Sequence, residues 1–128
     1  MLRRYAFIPD RSIELILCDL PYGTTKNKWD SIIPLDLLWG EYLRIAKPNA
    51  TIVLFGQDKF SAKLMLSREK MHRYNLIWKK GSRVSGFLNA RRMPLRNHED
   101  ILIFYKKLPV YNPQFSEGIP LHSMGTRF

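Results

Sequence analysis

The sequence predicts an α/β fold built on a layered, largely parallel sheet. Three observations carry this: four short apolar runs, amphipathic stretches between the first three of them, and short links joining these elements. The length of 128 residues fits one domain, and a hydrophobic fraction of 45% is enough for a real core.

The elements follow in order. Residues 14–18 (ELILC) and 51–55 (TIVLF) are nearly continuous apolar runs, as strands covered on both faces are. Between them Leu35, Leu38, Trp39, Tyr42, Ile45 and Ala46 recur at spacings of three and four, which predicts a helix with Pro34 in its first turn. KPNA at 47–50 ends it, because Pro48 disfavours helix at Lys47. A second helix is expected from Asp58, as N-cap, to about Ser67, with Phe60 and Leu64 on one face. NLIW at 75–78 and ILIFY at 101–105 are rich in β-branched and aromatic residues and read as strands. Trp39, Tyr42 and Phe60 are core positions by their spacing.

Residues 79–100 lack periodicity. Lys79, Lys80, Arg83, Arg91, Arg92 and Arg96 lie there with no acid among them up to Arg96, and loops of this length usually carry function or are disordered. The chain divides into residues 1–106 and an extended tail or linker at 107–128, rich in proline.

Net charge is +10, from 21 Lys and Arg against 11 Asp and Glu, so a polyanionic partner is expected, nucleic acid first. Cys18 is the single cysteine, which excludes a disulfide framework or a thiolate cluster. His72, His98 and His122 lack metal-ligand spacing, and no metal is expected. No apolar run approaches the ~20 residues of a membrane span, and the N-terminus has no signal-peptide pattern. A soluble, cytoplasmic protein is the expectation.

The chemistry concentrates in DLPYG at 19–23, directly after the first strand. Ligands of open α/β sheets bind beyond the carboxyl ends of strands. Pro21 stiffens the turn and Gly23 permits an unusual backbone angle, giving an elbow with a carboxylate, carbonyls released from the sheet, and the ring of Tyr22. A flat ligand bearing an amino group suits it: the ring stacks while carboxylate and carbonyl accept N–H bonds. Taken alone, the same five residues also fit a plain turn, with Asp19 capping backbone and Tyr22 packing at a rim.

DLPYG resembles the DPPY motif of amino-group DNA methyltransferases. The likeness continues through IVLFGQ, YNLIWKK, GFLNARRMPLRNHEDILIFYK and YNPQ, across about residues 8–115, and it is to adenine-specific methylases of phages and bacteria, some of restriction–modification systems. Leu20 replaces the first proline, as in a DLPY subset, and Asp rather than Ser at position 19 favours adenine over cytosine.

The resemblance implies a partial Rossmann-like methyltransferase sheet with flanking helices. It also implies site-specific transfer of a methyl group from S-adenosylmethionine to adenine N6 in double-stranded DNA, in a bacterial or phage-infected cell. Asp19 and the Leu20 carbonyl would accept bonds from the N6 amino group, Pro21 would hold the turn, and Tyr22 would stack on the flipped base. Asp19, Thr24 and Thr25 would border the cofactor, and Trp29 would pack. Lys79, Lys80, Arg83, Arg91, Arg92 and Arg96 would meet phosphates, with Phe87 and Asn89 stacking on the flipped base or filling the gap it leaves. His98 and Glu99 would orient the loop.

The family also binds its cofactor through a Phe-x-Gly-x-Gly turn. The glycines at 23, 40, 56, 81, 86, 118 and 125 include no Gly-x-Gly spacing. The expectation is therefore the catalytic half of a methyltransferase without the main cofactor half, inactive or weakly active alone. Its sheet edge and apolar face would be left for a homodimer or a second polypeptide. A non-catalytic DNA-binding remnant and a cytosine-N4 methyltransferase are the competing readings.

Overall fold

The structure is a computed structural model that describes residues 2–21 and 33–118. Tyr22, Thr24, Thr25 and Trp29, singled out above, lie outside the described residues. A 3-10 turn (Leu2–Phe7) leads into β1 (Ile13–Cys18), α1 (Leu35–Ile45), β2 (Ala46–Gly56), α2 (Asp58–Ser67), β3 (His72–Lys79) and β4 (His98–Phe104), with a second 3-10 turn at Phe87–Asn89.

The strands form one sheet in the order β1-β2-β4-β3. β1 and β2 are parallel, whereas β4 is antiparallel to both β2 and β3. The expectation of a largely parallel sheet is thus corrected: β1, β2 and β3 share a direction, and β4 slots between β2 and β3 against them. Apolar composition cannot reveal strand direction. The reversal follows from connectivity, since β3 and β4 are joined without the crossover helix that a parallel pair needs.

Local boundaries also differ from the periodicity. Pro34 takes the cap position of α1 with extended ψ (114°) rather than a place in its first turn. KPNA is not a loop: Lys47–Ala50 already belong to β2. Ile13 pairs Ala46 and Leu15 pairs Thr51, so these residues occupy an irregular step in the ladder, where the missing N–H of Pro48 is tolerated. Gln57, not Asp58, is the cap of α2.

Alternation along the strands separates two faces. Ile16, Ile52, Leu54, Leu102 and Phe104 pack with Leu38, Trp39, Tyr42 and Ile45 of α1 and Leu64 of α2 in one core. The Trp39 and Phe104 rings meet edge-on at 5.0 Å, and the buried indole N–H donates to Ser67 Oγ at 2.8 Å. Arg44 ties the N-terminal segment to α1, donating to the carbonyls of Tyr5 (2.7 Å) and Ile8 (2.8 Å) and pairing with Asp10 and Glu41. On the opposite face Leu15 and Leu17 are 58% and 62% exposed, and Tyr74, Leu76 and Trp78 are exposed at the other edge of the sheet. Among the described residues no helix covers that face.

Gly56 ends β2 where α2 presses on the sheet. A Cβ there would lie 2.7 Å from Ser61 Oγ and 3.2 Å from Ser61 Cα. Gly56→Ala is expected to cost about 1–3 kcal/mol by overpacking, read from denaturant unfolding; an unchanged midpoint would refute this close approach.

Burial, and next the neighbouring Cys18 thiol and Tyr5 hydroxyl, hold the Tyr42 phenol far above its ordinary pKa. The folded state therefore keeps a proton that the unfolded chain releases, so stability falls as pH rises through about 10. Tyr42→Phe is expected to flatten that alkaline loss, measured as unfolding midpoints across pH 8–11 (roughly the phenol range).

Candidate nucleic-acid and base-binding edge

Strand directions bring four termini to one edge of the sheet: the C-terminal ends of β1, β2 and β3 and the N-terminal end of β4. Asp19 follows β1 there and is exposed. Leu20 turns back and is 3% exposed in the core cluster, while Pro21 is half-buried. A buried leucine followed by a φ-restricted proline fixes where the Asp19 carboxylate leaves the sheet. Leu20 therefore anchors the segment that carries Asp19.

The next two strand ends carry a network that stitches α2 to β4. Gln57 Nε2 donates to the His98 carbonyl at 3.3 Å, and Ser61 Oγ donates to Asp100 Oδ2 at 2.6 Å. Asp58 forms an ion pair with Arg96, and Lys80 forms one with Glu99. The Lys80 ammonium also lies 5.0 Å from the centre of the Trp78 ring, whose edge meets Phe55 at 5.8 Å. Asp58 adopts φ +49°, a left-handed backbone that non-glycine residues rarely take.

Residues 80–97 leave this base as a loop, the arm, drawn together by one isolated bridge between Ser85 and Arg96. Lys80 N–H donates to the Asn97 carbonyl (2.6 Å), Ser85 N–H to the Arg96 carbonyl (2.7 Å), and Arg96 N–H back to Ser85 (3.4 Å). Gly86 at φ +80° turns the chain into the 3-10 turn at the tip. The aperiodic segment expected from the sequence is a loop, with one 3-10 turn and one isolated bridge. A cavity of about 380 Å³ lies at its root, lined by Trp78, Lys79, Lys80, Arg83, Val84 and Ser85.

The eight residues expected to contact DNA are all on this arm or at its foot, and they divide into two groups. Lys80 and Arg96 are engaged by carboxylates, so their first role is to hold the arm. Lys79, Arg83, Arg91 and Arg92 are exposed and make no ion pair among the described residues, and Phe87 and Asn89 are exposed at the tip. Asp58, Ser61, Gln57, Asp100 and Trp78 were not singled out as site residues by the sequence. The acids at the starts of α2 and β4 beside a run of cations were the one usable signal.

Of the residues expected to border the cofactor, Asp19 alone is described. Neither the cavity at the arm root nor one of about 220 Å³ at the other end of the sheet, lined by Arg11, Lys47 and Lys106, includes it. Among the described residues no cluster of His, Cys, Asp or Glu could hold a metal ion, and no helix is long and apolar enough to cross a membrane.

No family model matches the chain, and no curated protein matches it. Solved structures do. The chain is similar to M1.HpyAVI in its SAM complex (18% identity, TM-score 0.63), with 92% of this chain and 57% of that one aligned. It is similar to the PvuII DNA methyltransferase, described as cytosine-N4-specific (14% identity, TM-score 0.64), over 84% of this chain and 48% of that one. The fold is part of a DNA-methyltransferase fold. TTHA0409 from Thermus thermophilus, complexed with S-adenosyl-L-methionine, matches over 91% of this chain and 56% of its own length (17% identity, TM-score 0.60). The chain thus spans about half the length of the structures it matches, and two of these are complexes with the cofactor.

Asp58→Asn keeps a residue that tolerates left-handed backbone but removes the charge facing Arg96. It is expected to shift global stability by less than about 1 kcal/mol, since the pair is solvent-accessible. Amide exchange at Ser85 and Arg96 should nevertheless speed up. Unchanged exchange there would show that the ion pair does not hold the arm.

Proposed function

We propose that this chain is the base-holding part of an S-adenosylmethionine-dependent DNA methyltransferase acting on the N6 amino group of adenine. One observation carries the reading: the Asp19-Leu20-Pro21 elbow and the cationic arm emerge from the same edge of a methyltransferase-type sheet. A carboxylate alone would suit many ligands. An acceptor pair beside a phosphate-binding arm suits an amino-bearing base on a polyanionic chain.

The residues would act as follows. The Asp19 carboxylate and the Leu20 carbonyl accept the two N–H bonds of the exocyclic amine. That withdraws the nitrogen lone pair from conjugation with the ring and makes it nucleophilic. Bound S-adenosylmethionine supplies an electrophilic methyl group. Tyr22 stacks on the extruded ring, offsetting an unstacking cost of a few kcal/mol. Lys79, Arg83, Arg91 and Arg92 neutralise phosphates, so affinity falls steeply with salt. Because the chain spans about half of the matched structures, the apolar face with Leu15 and Leu17 is read as the seat of a second body, from a homodimer or a second polypeptide.

Adenine is preferred over cytosine because Asp stands at position 19, although the PvuII enzyme shares the fold. A non-catalytic DNA-binding role is the competing reading. The test is nucleoside analysis of DNA exposed to the protein and S-adenosylmethionine. N6-methyladenine is expected as the modified base, at the low level of a catalytic half acting alone, and none is expected from Asp19→Ala. N4-methylcytosine would transfer the reading to the cytosine class. DNA binding without cofactor binding by calorimetry would favour the non-catalytic role.

A further inference from the structure

At the end of the sheet away from Asp19, two backbone irregularities meet at one cavity. β2 advances five residues, from Ala46 to Thr51, while β1 advances two, from Ile13 to Leu15. Lys47, Pro48 and Ala50, unpaired in that step, line a cavity of about 220 Å³. Arg11 lines it too and holds a left-handed backbone at φ +49°, which is costly for any residue with a Cβ. Bulges and strained residues persist where their surroundings fix them, and they cluster at functional sites. The floor of the cavity is apolar, made by the buried side chains of Ala50, Ile52 and Met71. Its rim is cationic, made by Arg11, Lys47 and Lys106. Lys47 is shared with Glu14 at 2.6 Å, whereas Arg11 and Lys106 make no ion pair among the described residues.

The contrast between rim and floor selects the ligand. The nearby end of α1 does not oppose an anion, because its last carbonyls are engaged. Ala46 N–H bonds the Tyr42 carbonyl, Arg11 N–H that of Arg44 and Ser12 N–H that of Ile45. Two uncompensated cations above a buried apolar floor suit a charged head joined to an apolar body. A nucleic-acid backbone carries the charge but has nothing to fill the apolar depth. At ~30 Å³ for each water-sized group, the volume admits roughly seven such groups. We propose that this cavity binds a short aliphatic anion, its head at Arg11 and Lys106 and its chain over Ala50, Ile52 and Met71. The site is separate from the edge that carries Asp19, and it does not depend on the DNA-methyltransferase reading.

The test titrates the full chain with sodium hexanoate and with hexyl phosphate, followed by calorimetry and by the methyl resonances of isotope-labelled methionines. From acetate to hexanoate, affinity should rise roughly fourfold for each buried methylene. It should level off once the chain outgrows the cavity, at roughly seven carbons. The Met71 methyl resonance should move, while that of Met93 on the arm stays. Whichever head binds more tightly identifies a carboxylate or a phosphate, and either upholds the site. Ala50→Leu fills the cavity and should abolish the gain with chain length. Arg11→Gly removes a rim cation but suits the left-handed backbone, so the fold should persist with a similar unfolding midpoint. It should weaken hexanoate by roughly three- to fivefold, as loss of an accessible ion pair does. Equal affinity for acetate and hexanoate would show only the general attraction of a chain with net charge +10 and overturn the proposal. Hexylammonium binding as tightly as hexanoate, a shift at Met93 in place of Met71, or no binding at millimolar hexanoate would overturn it as well.

Discussion

β4 lies between β2 and β3, and the candidate site depends on its two antiparallel ladders. Gly56 faces Asp100 on one side of it, and Lys79 faces His98 on the other. These registers put the start of β4 level with the ends of β2 and β3, so the segment joining β3 to β4 has to emerge at the edge that carries Asp19. Had β4 added outside β3, the arm would span the same two positions, but Gln57 and Ser61 could not reach His98 and Asp100. Hydrogen-bond pairing of the central strand thus acts on function through position.

At the other end of that edge, the elbow after β1 is held by burial. Leu20 sits in the same core as Trp39, Leu54 and Phe104, so the exposed carboxylate beside it is carried by a closely packed body. The arm is held differently, by exposed or half-exposed ion pairs and a few backbone bonds, and it lacks a core of its own. Packing resists displacement strongly, whereas exposed ion pairs contribute little each and weaken with salt. The elbow is thus the more firmly held of the two and the arm the less firmly held.

Much of this was legible in the residues. Alternation and spacing located the four described strands and both helices, although β2 begins five positions before its apolar run, and Trp39 and Tyr42 occupy the core that their spacing predicts. Asp58 shows where such reasoning ended. An acid at a helix start reads as a cap, yet its partner is Arg96, 38 positions away, and its backbone is left-handed. Arg96 and Lys80 likewise read as phosphate ligands, but each has a carboxylate partner that no local pattern reveals.

The sequence by itself determined the alternation of elements, the excess of positive charge and the elbow, because periodicity, composition and proline stereochemistry act over a few residues. Tertiary structure decided the direction of β4, the bracing of the arm, the burial of Leu20 and the apolar face left open opposite the helices. Those depend on which segments pair across tens of residues, and pairing energy is shared between partners that neither segment specifies alone.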